Sequence, residues 1–261
     1  MLLAMLINNW PGSGLPFCTM PKRDRKRLGL QRSIIATIAF SCLVVGCAVQ
    51  VARLPVVGDQ RPDGFPVSYY QQLSQRGGEV LQIDPAQSLI VIEVRRAGSL
   101  ANLGHDHVVA SHGVQGYIAP KDGRADFYLR LDQLVVDEPE LRAEAAFDTQ
   151  PSAAAIAGTR ENMLRKFNAE THPYAVVSVE RVVVEAAGTQ LDISLALNGV
   201  TRALRIPAKI EQTAGQITVT GRVTLAQTAF EITPFSILGG ALQVQDQVDV
   251  RVAIRARYLQ L

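Results

Sequence analysis

Residues 190–226 read "QLDISLALNGVTRALRIPAKIEQTAGQITVTGRVTLA". Leu191, Ile193, Leu195 and Leu197 alternate with Asp192, Ser194 and Ala196. Leu204, Ile206, Ala208 and Ile210 repeat the pattern, and Ile217, Val219, Gly221, Val223 and Leu225 alternate with Thr218, Thr220, Arg222 and Thr224. In an extended chain successive side chains point to opposite faces, so each run is a strand with one apolar and one polar face. The runs are joined by "NGVT" at 198–201 and "TAGQ" at 213–216, turn sequences that fold a chain back on itself.

The same alternation recurs on both sides of this stretch. Phe127, Leu129 and Leu131 share one face, and Asp126, Tyr128, Arg130 and Asp132 share the other. Val248, Val250, Val252 and Ile254 alternate with Asp249, Arg251, Ala253 and Arg255. Further turns fall at "PKDGR", 120–124, and "AAGT", 186–189. One segment departs from the pattern. Residues 150–168, "QPSAAAIAGTRENMLRKFN", place Ile156, Arg160, Met163, Leu164 and Phe167 near helical spacing, which predicts one short helix ending before His172-Pro173. The chain is therefore expected to be all-β, with about eight antiparallel strands. Closing them into a barrel removes exposed sheet edges, and a barrel of that size holds packed side chains or one small ligand.

The amino-terminal third reads differently. Residues 20–32, "MPKRDRKRLGLQR", hold six Lys or Arg and one Asp, and "SIIATIAFSCLVVGC" follows, an apolar run ending at Cys47. A basic segment, then an apolar core too short to span a bilayer, reads as a secretory signal. Val44-Val45-Gly46-Cys47 resembles the lipobox of bacterial lipoproteins, in which the signal is cut before the cysteine and the thiol is acylated. Met20 makes a better start for such a signal than Met1. These features lead to the expectation of 1–46 as upstream extension and signal, 47–78 as a Pro- and Gly-rich linker, and 79–261 as the globular domain. Within the linker, "SYYQQLSQRG" is able to form one helical turn against the body. The expected location is the periplasm, with an N-terminal lipid anchor in the membrane. The uncharged Ala48 after the cysteine favours the outer membrane.

Charge and cysteine content narrow the function. The formal net charge is +2, but outside the signal 20 Lys or Arg face 23 Asp or Glu, so the globular part is mildly acidic and no basic face argues for nucleic acid. The cysteines are Cys18, Cys42 and Cys47, so removal of the signal leaves one. A disulfide, a Cys-rich metal site and a catalytic thiol are then excluded from the mature domain.

Four segments resemble the YceI-like, polyisoprenoid-binding family, in the family's order. They are "LQIDPAQSLIVIEVRRAG" at its opening, "GTRENMLRKFNAETHPYAVVSVERV" in its middle, "LALNGVTRALRIPAKI" at a turn and strand, and "AQTAFEITPFSILGGALQVQDQVDVRVAI" at its close. The resemblance implies a lipocalin-like eight-stranded barrel enclosing a long apolar chain, with an isoprenoid lipid or a quinone-like molecule as ligand. It implies no required cofactor and no catalytic apparatus. The candidate lining is then an alternate strand face holding Phe127, Leu129, Leu131, Leu191, Ile193, Leu195, Val219 and Val250.

Three polar features remain. "ANLGHDHVVASHGVQG", 101–116, holds His105, His107 and His112. On an extended strand His105 and His107 share a face, able to bind a metal or to mark a polar point on the barrel wall or mouth, while His112 falls on the other face. Ser99, Ser111, His105 and Asp106 have the composition of a triad, but no GxSxG motif accompanies them. Arg160, on the expected helix, either joins Glu161 and Arg165 on a solvated face or meets a ligand headgroup. "SILGGALQVQD", 236–246, reads as a hairpin loop or a flap over the barrel mouth. Two alternatives to lipid binding stay open: a metal-binding envelope protein using His105 and His107, and a structural or partner-binding lipoprotein with a filled barrel.

Overall fold

The computed structural model describes residues 60–258; the signal, Cys18, Cys42, Cys47 and the start of the linker lie outside the described residues. In chain order the elements are α1 (Val67–Gln75), β1 (Leu81–Ile83), β2 (Leu89–Val94), β3 (Arg96–Ala97), β4 (His107–Ser111), β5 (Gln115–Ala119), β6 (Arg124–Arg130) and β7 (Val135–Val136). There follow α2 (Pro139–Glu144), α3 (Ala153–Lys166), β8 (Tyr174–Glu185), β9 (Gly188–Leu197), β10 (Val200–Thr213), β11 (Gln216–Ala226), β12 (Ser236–Ile237), β13 (Leu242–Val244) and β14 (Gln247–Tyr258).

Eight strands close a ring in the order β1-β5-β6-β8-β9-β10-β11-β14 and back to β1, every neighbour antiparallel. The expected all-β barrel is what forms. The tight turns fall where the sequence placed them: Asn198 and Gly199 both take positive φ between β9 and β10, as a two-residue hairpin turn requires. Apolar faces point inward and polar faces outward. On the outside Asp192 sits between Arg205 and Arg181, which hold its carboxyl down at about 2.

Three strands of the wall are bent. β1 and β2 both pair with β14, separated by a helical turn over 85–87 that Asp84 caps by accepting from the Ala86 N–H at 3.1 Å. Ser88 mends the interrupted ladder, accepting from the Arg255 N–H at 3.0 Å. β4 continues as β5 through the fully buried Val114, and β6 turns over 131–133 into β7, which pairs with β4. At that end of the barrel α3 lies against β7 and sets Ile156, Met163, Leu164 and Phe167 on the core. The Ser152 hydroxyl caps α3 by accepting from the Ala155 N–H.

One expectation is corrected. The described residues hold three α-helices, not one. α2 is only six residues long, too short to show a period. It covers the outer face of β2 and β4, burying Val91, Val108 and Ala110 with Leu141 and Phe147 packed on them. This explains why "LIVIEV" and "HVVAS" run apolar on both faces instead of alternating. Within the stretch read as linker, the helical turn expected of "SYYQQLSQRG" forms and packs on the body. α1 makes nine residues of helix, and Tyr70 is 2% exposed, stacked on Tyr117. Its hydroxyl donates to Asp126 at 2.7 Å, and Arg124 Nε donates to the same oxygen at 2.8 Å. Burial first, and then the Asp126 carboxylate, push the Tyr70 phenol far above its usual range.

Gly116 lets β5 approach β6 closely. A Cβ there would stand 2.2 Å from the Asp126 carbonyl oxygen and 2.6 Å from the Phe127 Cα. Neither neighbour is a flexible side-chain tip, so Gly116→Ala should lower unfolding free energy by about 2 kcal/mol in urea titration. A loss under about 0.5 kcal/mol would show that the strands separate easily there.

Candidate functional site: the barrel interior

The inward faces do not fill the barrel. They enclose a cavity of about 410 Å³ lined by strand side chains from all around the ring. Apart from glycines its lining is apolar except for Arg124 and Gln212. Arg124 is tied to Asp126 and lies over the Tyr69 ring at 4.5 Å, so its charge is satisfied at the wall by the α1 contact. A second chamber of about 240 Å³ lies at the α3 end. Ile92, Phe167, Leu197, Leu225 and Val250 line both chambers, so the two share a wall. Together they fall in the size range of small-molecule sites.

The second chamber is different in chemistry. Thr159, Asn162, Met163 and Lys166 enter it from one stripe of α3, at the i, i+3, i+4, i+7 spacing of a helix face. His107 enters it from β4, and Gln227 and Thr233 from the segment after β11. Phe235 and Val244 belong to its wall, and they flank the β12–β13 hairpin, which pairs with β3 in a small three-stranded sheet. The 236–246 segment is thus a hairpin, with Ile237 and Leu238 exposed.

His107 is held from behind. Its Nδ1 lies 2.6 Å from Asp137 Oδ2, while Asp137 Oδ1 accepts from the Val108 N–H at 3.1 Å and from Arg142 Nη1 at 2.6 Å. Asp137 sits at the β7–α2 junction with φ of +61°, its side chain sealed from solvent. Burial alone would raise its carboxyl pKa, but the bonds from His107, Arg142 and Val108 outweigh it and the net direction is down. Arg142 is itself buried and donates also to the Asp106 and Thr149 carbonyls.

The sequence candidates land as follows. Phe127, Leu129, Leu131, Leu191, Ile193, Leu195, Val219 and Val250 all line the larger chamber. The histidine stretch disperses. β4 begins at His107, and His105 precedes it, with ring centroids 6.2 Å apart. His105 lines neither chamber, and its Nδ1 is buried without a hydrogen-bond partner in the structure. His112 turns outward to Glu138 at 2.8 Å. Asp106 accepts from the Arg96 N–H at 2.8 Å, away from Ser111, which pairs with Ile90 across the β2–β4 ladder. Among the described residues no group of three or more His, Cys, Asp or Glu side chains is placed to hold a metal ion. Arg160 is exposed and donates to the Asp132 carbonyl, outside both chambers. Sequence reasoning followed the apolar stripe of α3 and missed the polar one beside it. Asp137 was missed because it stands 30 residues from His107.

No curated protein matches the sequence. Among solved structures, a polyisoprenoid binding domain from Saccharophagus degradans is similar at 14% identity and TM-score 0.48, over 69% of this chain and 98% of that one. Burkholderia cenocepacia BcnA is similar at 15% identity and TM-score 0.44, over 66% and 98%. A Campylobacter jejuni YCEI protein is similar at 14% identity and TM-score 0.37, over 52% and 73%. The family model of the YceI-like domain matches residues 81–256, from the first barrel strand to the last. That match covers most of the chain, which therefore belongs to the YceI-like family.

Proposed function

We propose that this protein is a binding protein rather than an enzyme, and that its barrel holds one long apolar ligand of the isoprenoid class. The observation that carries the reading is the interior itself: a chamber of about 410 Å³ with an almost wholly apolar lining, sharing a wall with a smaller chamber that bears polar groups. A void lined by Leu, Ile and Val gains nothing from water. Filling it with hydrocarbon removes apolar surface from solvent on both partners, at roughly 25 cal/mol per Å². The tail occupies the larger chamber and the headgroup the smaller. The basic and apolar segments that end at Cys47 support export and a lipid anchor, and the uncharged Ala48 favours the outer membrane. Such a barrel holds a lipid whose free form has no solubility in water.

The test is native mass spectrometry of the delipidated protein mixed with the isoprenoid alcohol geranylgeraniol. One adduct per chain is expected. Absence of any adduct, with the protein folded, would sink the reading.

A further inference from the structure

The smaller chamber holds a hydrogen-bonding group that an apolar tail does not need. His107 Nε2 faces it, with Thr159 Oγ1 at 3.5 Å, a distance at the limit of a hydrogen bond. Behind the ring, the Val108 N–H and Arg142 both donate to Asp137 Oδ1, and His107 Nδ1 lies 2.6 Å from Asp137 Oδ2. A carboxylate that receives an arginine and a backbone N–H has no proton to give. The hydrogen between Asp137 and His107 is therefore on Nδ1, the tautomer whose neutral ring carries its lone pair at Nε2.

We infer that the smaller chamber is a headgroup site selective for ligands that donate a hydroxyl hydrogen, with His107 Nε2 as the acceptor and Asp137 as the positioning residue that fixes its tautomer. The ligand class is a neutral isoprenoid alcohol or hydroquinone. The inference rests on the lipid-binding reading above and names the headgroup that reading leaves open. The neighbours fit a neutral, hydroxyl-bearing group: Thr159, beside His107, is uncharged, and the Asn162 and Gln227 side chains on the chamber wall are uncharged amides already bonded to Arg165 and the Gln245 carbonyl. Lys166, the cation on the chamber wall, is itself exposed to solvent. A dianionic phosphate would bring two negative charges and no hydrogen to the Nε2 lone pair. An ether or a quinone brings only acceptors.

The experiment compares geranylgeraniol with its methyl ether, which keeps the tail and the oxygen but loses the hydrogen. The wild-type protein should bind the alcohol about tenfold tighter, the effect of one net hydrogen bond. His107→Phe should reduce that preference to within about twofold. Asp137→Asn keeps an acceptor for Val108 and Arg142, and asparagine tolerates the positive φ. It places an N–H opposite Nδ1, which moves the ring hydrogen to Nε2. The alcohol and ether oxygens then both accept, and the preference disappears while binding of the ether persists. Nitrogen-15 NMR of the wild-type ring reads the tautomer directly, and protonated Nδ1 with unprotonated Nε2 is expected. Equal wild-type affinities, a preference that survives Asp137→Asn, or the opposite tautomer would each overturn the inference. If neither probe binds, the lipid-binding reading fails; if both bind equally, only the headgroup inference does.

Discussion

Ala175→Trp is expected to lower geranylgeraniol binding at least about tenfold while leaving the melting temperature within a few degrees of wild type. Ala175 lines the larger chamber from β8, opposite Leu129 of β6, and the next residue on β8 pairs with Ala196, beside Leu197. Leu197 belongs to the wall shared by both chambers. An indole entering there meets void rather than packed atoms, so the usual penalty for an oversized core side chain is largely relieved. A bound chain, however, loses the space for several carbons. Each buried CH₂ contributes about 0.8 kcal/mol, so two lost methylenes already amount to tenfold. Unchanged uptake in a folded Ala175→Trp protein would place the ligand somewhere other than this chamber.

The second large effect concerns the support behind His107. Asp137→Ala should lower unfolding free energy by about 3–5 kcal/mol, measured by urea denaturation at neutral pH. The Asp137 side chain has no solvent exposure, and that of Arg142 is only 8% exposed. Removing the carboxylate leaves the guanidinium with backbone carbonyls but no counter-charge, and leaves the Val108 N–H unpaired. Breaking a buried pair from one side is costly because the remaining charge cannot return to water. Asp137→Asn should lose distinctly less, since it retains the hydrogen bonds to Val108 and Arg142. A loss under about 1 kcal/mol for the alanine variant would mean that Arg142 finds other partners.

Much of the barrel was legible because its signal is local. A strand with water on one side alternates, and its turns carry Gly and Asn, so residues 190–226 announce three strands and two hairpins. Alternation offered the eight candidate lining positions without fixing which face turns inward, and in the structure those side chains border the larger chamber. The signal failed where a second layer covers the wall. α2 covers the outer face of β2 and β4 while their inner face lines the barrel, so their sequences alternate poorly, and α2 itself spans too few residues to declare a period. α1 was legible only as one helical turn in "SYYQQLSQRG": its contact stripe is short, Tyr69, Tyr70 and Leu73, and Tyr70 is anchored by a hydroxyl bond to Asp126.

The polar site was legible only in part. His107 and Val109 share a face and both enter the smaller chamber, which the spacing of "HVV" allowed. What sets His107 apart from His105 is tertiary. The β6 strand bends into β7, brings Asp137 to β4, and so supplies the carboxylate behind one ring and not the other. Periodicity carries no information about such a contact. Arg160 shows the same limit from the other side: a cation on the right helix, one residue away from the stripe that faces the chamber.

The central claim is that the barrel interior is a lipid site, and the most direct test is the mass of what occupies it. The full-length chain, expressed with its own amino-terminal segment and purified from membranes in mild detergent, should be analysed by native mass spectrometry. The account predicts one co-purifying lipid per chain, released on denaturation and identified as an isoprenoid by fragmentation, and strongly reduced in the Ala175→Trp protein. Reproducible recovery of the bare polypeptide, or a lipid retained equally by Ala175→Trp, would contradict it.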